Sequence, residues 1–216
     1  MPPTATNNTI PMPLDTDAIR EALNSPEPAT ALAVALVAFH ALAARQVRAL
    51  ELTDVVDGRL TVDGGVIPLA PPVLPRLAVW LDHRGRTWPA TVNPHLFVNR
   101  RTASRLTPVS RPFPWKQVGF TAQGLREDRI LDEARATGGD IRLICELFGL
   151  SVEGALRYTA TTFDATQPAD DNSPRSPTER GGHTQRRRDR RDQSAPAMSC
   201  VHQRRLDSDI EPLNPT

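Results

Sequence analysis

The chain has 216 residues, with 26 basic against 25 acidic side chains, a net charge of +1, few aromatics and a single tyrosine. That length predicts one ordinary domain with some chain left over. The two cysteines, Cys145 in an apolar pattern and Cys200 in a polar tail, exclude a disulfide framework and a cysteine metal site, and a reducing cytoplasm is the expected compartment.

The charge is unevenly placed. Residues 1–30 carry one basic against four acidic side chains, residues 31–163 sixteen against twelve, and the remainder is balanced. Lys116 is the single lysine, so the positive charge is nearly all arginine. A mildly basic body between two chemically different tails permits a polyanionic partner without requiring one.

The opening "MPPTATNNTIPMPLDTD" lacks the basic and then apolar order of a signal peptide, and residues 1–14 read as disordered. Leu14 to Leu23 fits a short helix capped by Asp15 or Asp17, and "NSPEP" (24–28) breaks it. Thr30 then caps a helix predicted to run to about Leu50. Its apolar run "ATALAVALVAFHALAA" (29–44) is shorter than the ~20 residues of a membrane span and reads as a buried helix. "RLTV" and "VIPL" flank Asp63-Gly64-Gly65 and predict a β-hairpin.

"VLPRLAVWLDHRG" (73–85) returns to helical spacing through Leu74, Leu77, Trp80 and Leu81, and "PHLFVN" (94–99) reads as a short strand. Arg100, Arg101, Arg105, Arg111 and Lys116 then occupy a Pro/Ser/Thr loop without an acidic residue. Residues 121–139 read as a helix with Leu125, Ile130, Leu131 and Ala134 apolar and a glycine stop. A second helix carries Ile141, Ile144, Cys145, Leu147 and Phe148 and ends at Gly149; Ser151 caps a third that bears Tyr158. Beyond Phe163 apolar residues nearly vanish and a disordered tail is expected, including the arginine run "RRRDRR" (186–191). His40, His83, His95, His183 and His202 show no metal-ligand spacing.

This order of elements, ending in a helix with "GLR", a helix ending "LFG" and a helix with a late tyrosine, resembles the catalytic domain of tyrosine recombinases, the phage integrase family. The similarity is sharpest in "GLREDRILDEARATGGDIRLICELFGLSVEGALRYTA" (124–160). It looks like the family stretch of a His-x-x-Arg box, a helix ending Leu-Gly-His and a nucleophilic tyrosine. "HALAARQVRALELTDV" (40–55) is similar to the family's first-arginine helix.

The fold so implied is α+β, mainly helical, with a small antiparallel hairpin or three-stranded sheet. The expected organisation is an N-terminal stretch with a short helix (1–28), an integrase-like domain (29–163) and the tail (164–216). In that family the tyrosine attacks a DNA phosphate, two arginines stabilise the charge that develops, histidines shape the site, and a lysine on the hairpin turn helps the 5′ oxygen leave. Neither metal nor cofactor is implied.

On this chain Tyr158 falls at the nucleophile position and Arg126 at the arginine of the His-x-x-Arg box. Gln123 stands where the box has histidine, Leu150 replaces the histidine of Leu-Gly-His, and Ala43 occupies the first-arginine position, with Arg45 or Arg48 as substitutes in a shifted register. Lys116 lies outside the hairpin. The expectation is therefore a DNA-binding protein of the site-specific recombination and integration type, with strand cleavage weakened or lost. Its implied setting is a mobile element. The loop cations Arg100, Arg101, Arg105, Arg111 and Lys116 would contact DNA phosphates.

The implied partner is double-stranded DNA, with self-association on it, and neither a membrane nor a small-molecule substrate. Two alternatives stay open: a catalytically dead DNA-binding module or element remnant, and a helical interaction protein without a DNA role. Under the latter Tyr158 is a core residue and Arg126 pairs with Glu127 or Asp128 on its own helix.

Overall fold

The computed structural model describes residues 13–163. Seven helices and three short strands follow in chain order: α1 (Thr16–Leu23), α2 (Pro28–His40), α3 (Ala44–Ala49), β1 (Val55–Val56), β2 (Arg59–Val62), β3 (Gly65–Pro68), α4 (Val73–Thr87), α5 (Ala122–Ala136), α6 (Ile141–Phe148) and α7 (Val152–Phe163). The sequence expectation of a mainly helical α+β fold with a small antiparallel sheet holds. The expected tail disorder and the arginine run at 186–191 lie outside the described residues.

The middle of the fold is α2, twelve of whose thirteen residues, Ala29 to His40, are buried. A helix apolar on every side has no face for water and must be surrounded by protein. Here α1, α4 and α5 pack around it. Its alternating alanines keep it thin enough for neighbours to approach closely, while Leu32, Leu36 and Phe39 fill the spaces between them. No helix among the described residues is long and apolar enough to cross a membrane.

The boundaries of α2 depart from the sequence reading at both ends. Thr30 lies inside the first turn, because Pro28 takes the first helical position, where its missing N–H costs nothing, and Glu27 becomes the cap residue. The helix also stops at Ala41, left-handed at φ 50°, instead of running on to Leu50; α3 starts afresh at Ala44, with the Gln46 Oε1 accepting the Ala43 N–H at 2.6 Å. Neither glycine nor proline marks that break.

The strands form an antiparallel sheet in the order β1-β2-β3. Both turns are built on Asp-Gly pairs with positive φ, Asp57-Gly58 and Asp63-Gly64, the backbone that two-residue hairpins require. Residues 94–99 do not form the expected strand. One isolated bridge, Glu51 to His95, stands there, and the chain is held by side chains instead: the Trp80 indole donates to the Leu96 carbonyl at 2.9 Å and Arg84 to the Asn93 carbonyl at 2.6 Å. Helix α4 is turned from its expected face, burying Val73, Arg76, Leu77, Trp80 and Arg84 and leaving Leu74 and Leu81 exposed. Arg76 is buried because it donates to the Leu23 carbonyl, at 2.7 Å, and to Asn24, joining α4 to the end of α1.

Helices α5, α6 and α7 enclose a second, smaller cluster of Ala41, Ile130, Leu131, Ala134, Ile144, Ala155 and Tyr158. Helix α5 also faces α2 with a buried ion pair, Arg129 to Glu133 at 2.8 Å, both side chains 3% exposed, and Arg129 lies 5.7 Å from the centre of the Phe148 ring. Removing one member of such a pair leaves an uncompensated charge. Glu133→Gln is expected to destabilise the fold by about 3–5 kcal/mol, read as a lowered urea midpoint.

His40 supplies a pH dependence. Its Nε2 accepts the Ala70 N–H at 3.2 Å, which requires a neutral ring, and burial, reinforced by the Arg129 charge, pulls its pKa from 6.5 to about 4. Between these two values the unfolded chain holds the proton and the folded chain does not. The His40 contribution is therefore present above pH 6.5 and fades as pH falls towards 4, by on the order of 3 kcal/mol in all. Urea midpoints between pH 7 and pH 4 should fall more steeply for the wild type than for His40→Gln.

Candidate active site

Local rules place the residues of the candidate site. The Thr121 hydroxyl caps α5 by accepting the Gly124 N–H at 3.0 Å, so Gln123, Arg126 and Glu127 lie in its first two turns. The Asp140 carboxylate caps α6 and Gly149, at φ 60°, ends it in the left-handed conformation that glycine adopts without strain. The Ser151 hydroxyl then accepts the Gly154 N–H at 3.1 Å and starts α7, which carries Arg157 and Tyr158 back towards α5.

Tyr158 is 2% exposed and packs within the second cluster. Burial pushes its phenol above the ordinary value of 10, and the Glu127 carboxylate adds to that; a hydrogen bond from Arg157 and the charges of Arg157 and Arg126 oppose it. The Arg157 guanidinium lies 5.7 Å from the centre of the Tyr158 ring. A phenol this enclosed meets a phosphodiester only if the groups above it move.

Arg126 is half-buried and close enough to Tyr158 for each to act on the other's charge. Its Nε donates to the Ala41 carbonyl at 2.7 Å and one terminal nitrogen to the Phe148 carbonyl at 2.9 Å. The side chain thus ties the left-handed end of α2 to the end of α6. Burial lowers its pKa first, and Arg45 lowers it further. Of the two candidate substitutes for the first arginine, the exposed Arg45 acts electrostatically on Arg126, whereas Arg48 turns away and donates to the Val109 carbonyl at 2.8 Å. Ala43, at the first-arginine position, is the residue before α3.

Gln123 donates to Glu127 at 2.8 Å one turn on, and Glu127 lies 3.9 Å from Arg157. Gln123 therefore reaches the tyrosine through Glu127 and Arg157. Arg157 and Glu127 are the neighbours that the sequence reading did not assign to the site. The only signal was that Arg157 precedes Tyr158 in the chain, and Glu127 follows Arg126.

At the hairpin turn, where the family carries its lysine, stands Asp63, whose carboxylate accepts from Gln46 at 2.7 Å. Leu150 is half-buried against the second cluster. The five loop cations are all exposed. Three of them, Arg100, Arg101 and Lys116, line one open groove of about 690 Å³; Arg105 and Arg111 are not part of its lining. This groove opens by Thr30, while Tyr158 packs near Ala41. Eleven residue steps separate Thr30 from Ala41 along α2, about 16 Å at the usual rise. Among the described residues no group of three or more His, Cys, Asp or Glu side chains is arranged to hold a metal ion.

Solved structures with a similar fold include XerA recombinase, with a TM-score of 0.56 and 22% identity over 75% of this chain and 68% of that one. XerH site-specific recombinase bound to difH is similar in its pre-cleavage complex (TM-score 0.56, 18% identity, 73% of this chain and 53% of that one). Its post-cleavage complex on palindromic difH is also similar (0.55, 16%, 75% and 53%). The chain spans about half the length of XerH. No protein-family model matches the chain, and no curated protein matches it in sequence.

Because the chain has one tyrosine, tyrosinate absorbance reports Tyr158 alone. Its titration should lie above pH 10. Arg157→Gln removes a hydrogen bond and a cation that favour the charged form, so it should move the titration further upward. An unchanged midpoint in that variant would show that Arg157 does not act on the phenol.

Proposed function

We propose that this chain, which has a tyrosine-recombinase catalytic-domain-like fold, is a DNA-binding protein of the site-specific recombination and integration type whose strand cleavage is weakened or lost. The observation that carries the reading is the convergence of Arg126, bonded to the Ala41 and Phe148 carbonyls, and Tyr158, packed in the cluster that includes Ala41 and Phe148, from helices spaced well apart in the sequence. The exposed cations of residues 100–116 support a duplex partner, since exposed arginines and lysines are the usual contacts to phosphate oxygens. Self-association on that DNA and a mobile-element setting belong to the same reading.

A live site would carry out a single transesterification. The Tyr158 oxygen would bond to phosphorus as the bond from phosphorus to the 5′ oxygen breaks; the phenol gives up a proton and the departing oxygen takes one up. That step needs cations on the phosphate and an acid at the leaving oxygen. Ala43, Gln123 and Leu150 supply neither at the family positions, and Asp63 places negative charge at the turn. Acid–base groups are each worth ~10²–10⁴ in rate and one charge-stabilising donor ~10²–10³. The two backbone carbonyls on Arg126 and the burial of Tyr158 support the same direction.

Trapping tests cleavage. Protein incubated with nicked duplexes drawn from its own genomic surroundings should give no tyrosine-dependent covalent band on a denaturing gel. A band present with Tyr158 and absent in Tyr158→Phe would mean an active enzyme, with Arg45 and Arg157 the first residues to test as its cations. Duplex binding itself should survive Tyr158→Phe and weaken steeply with salt, by roughly 10³–10⁵-fold between 50 and 200 mM for six or more phosphate contacts. Salt-insensitive or absent binding would instead favour a helical interaction protein.

A further inference from the structure

The groove at the start of α2 is built differently from the surroundings of Tyr158. Arg100, Arg101 and Lys116 line it with the single carboxylate Glu27, leaving two net positive charges. Thr30 also lines it, 2% exposed, and its hydroxyl has no hydrogen-bond partner among the described residues. An unsatisfied buried hydroxyl is costly unless something outside the protein completes it. The N-terminal end of α2, thirteen residues long, adds partial positive charge on the same side. The lining also holds the half-buried Phe113 between Pro112 and Pro114. At about 690 Å³ the groove has far more room than a bare phosphate needs and falls within the usual range for small-molecule sites.

We propose that this groove is a nucleotide site. Arg100, Arg101 and Lys116 hold the phosphate, the Thr30 hydroxyl completes its hydrogen bonding, and Phe113 with its flanking prolines supports the base or sugar. Two arginines suit a phosphate geometrically, and an aromatic face accepts any base. The nucleotide is either free or part of a DNA strand. In the second case the inference deepens the DNA-binding reading proposed above, since it assigns the loop cations a phosphate by Thr30, at the other end of α2 from Ala41 and the tyrosine. In neither case does it depend on cleavage.

The test titrates adenosine monophosphate into the full chain by calorimetry and follows a labelled duplex by anisotropy in parallel. Saturable binding of the mononucleotide is expected, weakened about tenfold or more in Arg101→Ala and in Lys116→Ala, each checked for folding by circular dichroism. Thr30→Val keeps the shape and removes the unsatisfied hydroxyl, so it should leave Tm equal or higher while weakening the mononucleotide. A duplex that loses affinity in the same variants and competes with the mononucleotide places the site on a DNA strand; unchanged duplex affinity makes the ligand a free nucleotide. Absent mononucleotide binding, or binding indifferent to all three substitutions, overturns the proposal. If duplex binding persists in that case, the DNA-binding reading stands without this groove. Mononucleotide binding with no duplex binding at all leaves the groove and removes the DNA reading.

Discussion

The burial of α2 on every side is the constraint from which the other positions follow. A thirteen-residue helix without a polar face forces its neighbours to enclose it, and its alanines let them come near. Where those neighbours must carry charge they compensate locally. Arg76 spends its donors on the end of α1, Arg129 pairs with Glu133, and His40 stays neutral to accept a backbone N–H. These polar contacts tolerate no loss of a partner, because water cannot replace it in the interior.

Arg126 shows how scaffold and site compete for one side chain. Its position matches an arginine whose work in a recombinase is to face phosphate, yet here it ties the end of α2, which has no glycine at Ala41, to the end of α6. Half-buried and already bonded, it is well oriented, with less of its donor capacity free for a ligand. Tyr158 beside it is enclosed in the same way. The two act on each other's charge, and burial holds the phenol in its protonated form.

The exposed cations belong to a different region. The segment between residues 99 and 120 has no α-helix; it is held by side-chain hydrogen bonds, among them Arg48 to the Val109 carbonyl and Asn93 to the carbonyls of Thr102 and Thr107. That bonding from beneath fixes a loop that repeated proline leaves without a ladder of its own. Arg100, Arg101 and Lys116 thereby converge on the start of α2, at the opposite end of the helix from the tyrosine.

Local chemistry explains what was legible in the residues alone. Asp15 and Ser151 cap the helices they were expected to cap, Gly149 ends α6, and Asp63-Gly64 makes the hairpin turn, because each depends on backbone geometry within a few residues. The run from Ala29 could be recognised as a buried helix from its apolarity, and the spacing of Gly149 and Tyr158 was enough for the resemblance to a recombinase domain. Tertiary contacts decided the rest. The break at Ala41 is stabilised by an arginine 85 residues away, the stretch 94–99 is held by Trp80 and Arg84 instead of a ladder, and α4 is rotated by a buried arginine that finds a carbonyl on α1. Whether Arg45 or Arg48 approaches Arg126, and which loop cations share a groove with Thr30, also depend on partners distant in the chain. A sequence pattern registers apolarity and spacing; it does not register which distant carbonyl a guanidinium will reach, and that choice placed the charges of this protein.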